Sequence, residues 1–279
     1  MLFVALTILS SVLVSVIIRV SEGGSGNRIV VAAANYVVAA LLSLAMVLVD
    51  GSVMTWEWVP VGMGLGIGFV AGFLLMMKGI RAIGIAIPSS AARLSMLIPV
   101  SGSIVIFGEH PTTIRIVGIA LGIIAFSLLG ASQRRRGTPL ERDVSGAGAI
   151  VLVLLFATVG TTDLGMKTSL VHGADNNVLT FLIFATAAVI CWGVVAVKRL
   201  PFGRRELAIG SMLGVPNFSS VLFLLLALRR IDASTVFPIV SSGAVVLVTL
   251  VGALFWHERP SRAATIGLTL AAIAVALLA

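Results

Sequence analysis

Charge is scarce in this chain. Asp, Glu, Lys and Arg make up 11% of its 279 residues, where a soluble domain carries about 25% to wet its surface. Apolar residues reach 59% and mean hydropathy is +1.16, so most of the chain's surroundings must be lipid. Cysteine is nearly absent: Cys191 stands alone in an apolar run, which excludes an intrachain disulfide and implies no redox role. Catalytic patterns are missing too. There is no HExxH, CxxC, GxSxG or Walker sequence, and His110, His172 and His257 all fall in loops. No span carries two acids at helical spacing. An intramembrane hydrolase needs acid, base or metal ligands at one depth, so an enzyme is not expected, nor is a metal or cofactor. Rings of charge suited to a channel are lacking as well.

What is present is a series of long apolar runs. Ten can be read: Leu2–Ile18, Ile29–Val49, Val59–Met77, Ile83–Phe107, Ile114–Leu129, Ala147–Gly165, Val178–Val197, Leu207–Leu228, Ala233–Trp256 and Ala263–Ala279. Each suits a helix crossing about 30 Å of hydrocarbon, and none alternates polar with apolar as a barrel strand does. The fold expected is an all-α integral membrane protein of ten transmembrane helices. Trp56 and Trp58 stand before the third span, at interfacial depth. The first run lacks the basic n-region of a signal peptide and is expected to remain as a span.

The chain repeats itself. A shift of 149 residues, without gaps, superposes Asn27 on Asn176, Arg81 on Arg230, Glu109 on Glu258, Pro111 on Pro260 and Gly118 on Gly267. Leu121, Ile124, Ala125, Leu128 and Leu129 meet identical residues as well. Leu and Ala coincide readily in apolar sequence, so the matched Glu-x-Pro and the later Gly weigh most. Five spans fill each half. An odd number makes the second half enter the membrane from the opposite side, the inverted repeat of secondary transporters. A duplicated structural bundle is the plainer alternative.

The stretch Phe107-Gly108-Glu109-His110-Pro111 with Gly118, and Trp256-His257-Glu258-Arg259-Pro260 with Gly267, resemble the end-of-repeat signature of EamA-type transporters of the drug/metabolite transporter superfamily. The resemblance covers essentially the whole chain. It implies two inverted five-helix repeats, residues 1–130 and 150–279, joined by a basic loop at 131–149. It also implies a cavity lined by the first, third and fourth spans and by their mates. Pro238–Gly267, with Ser242-Gly243, is similar to the last two helices of small multidrug resistance proteins. Those proteins carry a Glu in their first helix; the first and sixth spans here have none, and Asp163 is the nearest acid. Read physically, Pro presets the first helical turn and Glu suits the positive end of a helix, so Glu109 and Glu258 read first as helix-start signals.

Ionisable residues inside spans are functional candidates by default. Arg93 lies about 12 Å into the fourth span at 1.5 Å per residue. It is either an anchor for a carboxylate or phosphate or an arginine snorkelling to the interface. Its repeat mate is Ser242, so the charge occurs in one half only. Asp163 is a proton carrier, a cation ligand, or an i,i+4 partner of Lys167. Asn35 and Asn217 bind substrate or another helix. Pro88, Pro99, Pro216 and Pro238 interrupt spans four, eight and nine and free carbonyls that can line a cavity. Gly64 and Gly68, with Gly72, form one small-residue register of the third span, and Gly62 and Gly66 form another. Packing is their first reading and a sliding or cavity-lining surface the second.

Net charge is +8. Odd-numbered loops hold 14 Lys and Arg, and even-numbered loops hold four: Arg115, Lys167, Arg229 and Arg230. The positive-inside rule then puts the odd loops in the cytoplasm and both termini outside an inner membrane, whereas the resemblance implies cytoplasmic termini. The function expected is alternating-access transport, with export the expected direction, of a small polar metabolite such as an amino acid or another carboxylate. The alternatives are an exporter or flippase of an amphipathic or lipid-linked compound, and a non-transporting scaffold. The expected partners are a small-molecule substrate and the bilayer, with no nucleic acid; coupling ion and oligomeric state stay open.

Overall fold

A computed structural model describes residues 1–21, 27–83, 86–134, 146–255 and 262–278. Among them there are helices and no strands: α1 (Leu2–Ser21), α2 (Arg28–Val49), α3 (Trp58–Ile83), α4 (Ala86–Leu94), α5 (Leu97–Phe107), α6 (Thr113–Arg134), α7 (Gly146–Val171), α8 (Asn176–Val197), α9 (Arg204–Leu228), α10 (Ala233–Phe255) and α11 (Arg262–Leu278). Lipid offers no partner for backbone N–H and C=O groups, so each segment satisfies its own. Seven helical stretches are long and apolar enough to cross a membrane, and Leu2–Ile18, Thr113–Ala125 and Thr265–Leu278 are shorter apolar pieces.

Caps set several helix starts. Asn27 Oδ1 accepts from Ile29 N at 3.1 Å. Asp175 Oδ1 accepts from Asn177 N at 2.9 Å and Val178 N at 3.1 Å. At α9, Glu206 Oε2 accepts from Gly203 N at 3.0 Å. Each satisfies a donor at a helix start, where intrahelical partners run out. Helix α5 stops at Gly108, whose φ of 65° lies in the left-handed region that glycine enters without a Cβ clash.

The fourth apolar run departs from expectation. It is two helices, α4 and α5, parted by a turn at Ser95 and Met96. Pro99 has no N–H to give the Ser95 carbonyl; Ile98 N donates to it instead, at 3.0 Å. Pro88 and Pro99 fall in the first turns of α4 and α5, where proline is tolerated. Pro216 and Pro238 lie inside α9 and α10, which run on through them without interruption.

The chain forms two compact units, each drawing on both sequence halves. One comprises Leu2–Val70 and Gly165–Arg230; the other comprises Met1, Ala71–Leu164 and Ile231–Ala279. In the first, α2 packs on α8 and α9, and α1 on α9. Val47, Val178 and Leu182 form a core against Trp58, Val59 and Phe181. Missing side chains permit the close approaches. A β-carbon at Gly210 would lie 2.5 Å from Val31 O and 2.6 Å from Ala34 Cβ, and one at Gly214 would lie 2.5 Å from Val38 Cβ. In α3, Gly62 abuts Leu182, and a β-carbon at Gly66 would lie 2.7 Å from Ile183 O and Thr186 Cβ of α8. The third helix of each sequence half thus lays a glycine face on the second helix of the other half.

In the second unit, α6 packs on α11, α4 on α6, and α10 on α5 and α11. Gly118 faces Leu277 and Leu278, where a β-carbon would lie 2.9 Å from Leu278 Cγ. Gly267 is buried in α11. Residues such as Leu48, Val105, Val189 and Leu254 stand more than 70% exposed, a surface that suits hydrocarbon and not water.

Candidate functional site

The break between α4 and α5 positions the candidate site within the second unit. Helix α7 runs alongside it: a β-carbon on Gly160 would lie 2.7 Å from Ser95 O and 2.6 Å from Ile98 Cδ1, and one on Gly102 would lie 2.8 Å from Leu164 Cδ1. Glycine at 160 is what lets α7 reach the turn. Gly122 of α6 faces the same level, 3.4 Å from Ser242 Oγ and 3.7 Å from Met96 Cε by the same measure. Ser242 is nine residues into α10, about 14 Å at 1.5 Å per residue. The break therefore lies near half the depth of a hydrocarbon core of about 30 Å.

Arg93 occupies the last turn of α4, two residues before Ser95. It is half-buried, and its guanidinium has no hydrogen bond or ion pair among the described residues. Asp163 lies on α7 one turn beyond Gly160, also half-buried and also without such a partner among the described residues. The hydroxyl of Ser242 is fully buried and makes no hydrogen bond among the described residues; Ser103, Ser234 and Thr235, on α5 and α10 of the same unit, share that condition. A charge or hydroxyl held in a span without a partner is costly, and a polar ligand offsets such a cost.

Other candidates resolve differently. Asn217 Nδ2 donates to Asn35 Oδ1 at 3.3 Å, so these two residues join α9 to α2 within the first unit. Lys167 Nζ donates to Leu228 O at 3.1 Å, closing the end of α9. Gly62, Gly66 and Gly72 meet neighbouring side chains, whereas Gly64 is exposed with nothing within 4 Å of a built β-carbon. Gly68 is half-buried.

Glu109 is a helix-start residue, but for a distant helix. Its Oε1 accepts from Ala233 N and its Oε2 from Ser234 N, both at 2.9 Å, capping α10 rather than the α6 that follows it in sequence. Arg115 adds an ion pair to Asp232 at 3.4 Å. Pro111, between α5 and α6, is half-buried. Glu258 and Pro260 lie outside the described residues. The helix break had a signal in sequence, the pair Pro88 and Pro99 bracketing Ser95. Glu109's partner had none, because it lies 124 residues away. Among the described residues no three His, Cys, Asp or Glu side chains gather as a metal site.

Residues 146–279 match the model of the EamA-like transporter family. This stretch of the chain is similar to EamA-like transporters. The family belongs to the drug/metabolite transporter superfamily, whose EamA members are transporters and not enzymes. With its long apolar helices, the chain is a multi-pass membrane protein.

The matched residues take in α7 to α11, and with them Asp163, Asn217, Pro238, Ser242 and Gly267; Arg93 lies ahead of them. An uncharacterized protein of Haemophilus influenzae is 27% identical over 273 residues, 94% of this chain and 91% of its own length. A protein of known crystal structure superposes with a TM-score of 0.81 over 99% of this chain and 94% of that chain, at 17% identity. That likeness concerns the fold.

Proposed function

We propose that the whole chain is a secondary transporter of EamA type, built from two inverted five-helix repeats that expose one site alternately to each side of the membrane. In this reading α4 and α5 count as one crossing and the three shorter apolar pieces join the seven long stretches, for ten spans. The shift of 149 residues carries α2, Arg28–Val49, onto 177–198, against α8 at Asn176–Val197. It carries α3 onto 207–232, against α9, and the α4–α5 pair onto 235–256, against α10. The exchanged glycine contacts, α3 on α8 and α9 on α2, are those a two-fold relation between the halves requires. A discontinuous helix near mid-depth is the usual form of a transporter's binding site.

The substrate class rests on one observation: the guanidinium of Arg93 beside that break has no hydrogen bond or ion pair among the described residues. We assign it to a carboxylate of a small polar metabolite, such as an amino acid or organic acid, moved in the direction of export. Asp163 and the Ser242 hydroxyl are the polar groups of the same unit that complete the site. Proteoliposomes holding the purified protein, tested with a metabolite panel, check this. Arg93→Ala is expected to lower transport of the identified carboxylate at least tenfold, about 1.4 kcal/mol, and Arg93→Lys to restore part of it. Unchanged transport by Arg93→Ala overturns the anchor.

A further inference from the structure

The unit formed by Leu2–Val70 and Gly165–Arg230 has two unlike ends. At one, α2 finishes where α8 begins, and Asn177 Nδ2 donates to Asp50 Oδ2 at 2.6 Å. The cations there are occupied. Arg229 Nη2 donates to Ala174 O at 2.6 Å, Lys167 Nζ donates to Leu228 O at 3.1 Å, and Arg230 lies 5.1 Å from the Phe3 ring centroid. The acids Asp50, Glu57 and Asp175 accompany them.

The other end is different. Because Gly210 and Gly214 of α9 rest on residues 31–38 of α2, the start of α9 and the end of α8 lie beside the start of α2. Lys198, Arg199, Arg204 and Arg205 are all exposed there, without a side-chain partner among the described residues, and Arg28 is exposed beside them. The acid in this group, Glu206, is turned onto the Gly203 N–H. Arg199 is held at φ 47°, a backbone that glycine adopts more easily. Phe202 is 53% exposed and meets Trp192 edge-on at 5.6 Å. Trp192 lies six residues inside Lys198, about 9 Å along the helix, the depth at which interfacial aromatics anchor.

We infer that this end binds the headgroups of anionic phospholipids, with the four cations on the phosphates and the Trp192–Phe202 pair at the acyl boundary. The occupant follows from position and charge. The cations sit where apolar helices end, so they lie at headgroup level, and anionic headgroups there attract them by roughly fivefold in affinity per Lys or Arg.

The full-length protein, purified in an uncharged detergent, tests this by titration with short-chain phosphatidylglycerol or phosphatidylcholine while its melting temperature is followed. Ligand that binds the folded state raises that temperature. Phosphatidylglycerol is expected to bind at least tenfold more tightly than phosphatidylcholine. The triple variant R199Q/R204Q/R205Q is expected to weaken phosphatidylglycerol ~100-fold with its lipid-free melting temperature unchanged, and the matching triple lysine variant to stay within tenfold of the original. Should the glutamine variant melt early, raised salt applied to the unaltered protein gives the same test, because exposed charges are screened. Equal affinity for the two lipids, an unaltered phosphatidylglycerol affinity in a stable triple variant, no loss of that affinity in salt, or the same shift from inorganic phosphate each overturns the inference.

Discussion

Glu109 shows what single residues do in this molecule. Its two carboxylate oxygens each accept a backbone N–H of α10, and charge-assisted bonds of this kind are the stronger ones. Glu109→Ala is expected to cost about 1–2 kcal/mol, as other lost helix caps do, with Glu109→Gln between it and the original. Melting in detergent measures this; a variant that keeps its melting temperature but changes the KM of transport contradicts the capping role. Asn35 and Asn217 make a weaker joint. Interhelical hydrogen bonds in membranes average about 0.6 kcal/mol, and a double-mutant cycle of Asn35→Ala and Asn217→Ala should return a coupling of that order. A coupling near zero, with transport lost in both single variants, would instead make them substrate ligands.

At the scale of helices, glycine positions separate into packed and open ones. Gly210 has no room for a β-carbon, since Val31 O and Ala34 Cβ lie 2.5 and 2.6 Å from where it would stand. Gly210→Ala is therefore expected to destabilise by about 1–3 kcal/mol, as overpacking does. Gly64 has open space, so Gly64→Ala should be neutral or raise stability by up to about 1 kcal/mol, the helix-propensity difference. Thermal melting of the two variants checks the contrast, and equal effects refute it. The sequence distinguished these positions poorly. Gly62, Gly64 and Gly66 lie on one short stretch, and which of them faces a neighbour depends on where α8 sits. Spans were legible because hydrocarbon demands long apolar runs with few charges. The break in the fourth run was legible only as an interruption at Pro88 and Pro99, because a proline in the first turn of a new helix and a proline kinking an old one leave the same trace. Arg93 was legible as an anomaly, yet its place beside the break depends on the turn at Ser95 and Met96, where Ile98 N donates to the Ser95 carbonyl as Pro99 cannot.

For the whole molecule, charge is the property that ties sequence to orientation. Fourteen basic residues lie on odd-numbered loops and four on even-numbered ones. The structure gives those four internal employment: Arg115 on Asp232, Lys167 on Leu228 O, Arg229 on Ala174 O and Arg230 over Phe3. Cations kept for such contacts explain why the even side has any, whereas Lys198, Arg199, Arg204 and Arg205 of the odd side are exposed without a side-chain partner among the described residues, the kind of charge that the positive-inside rule weighs. The odd loops are therefore expected in the cytoplasm and both termini outside, against the cytoplasmic termini that the resemblance to EamA transporters implies. A reporter fused after Ala279 decides: one active only outside the cytoplasm should be on, and one active only in the cytoplasm should be off. The opposite pattern refutes the orientation. The triple variant R199Q/R204Q/R205Q leaves 11 of the 14 odd-loop cations (14 less three) against four, so the reporter should not invert in it. A lost lipid response with an unchanged reporter would then separate headgroup binding from topology, two effects of positive charge that act at different times, one during insertion and one in the finished protein.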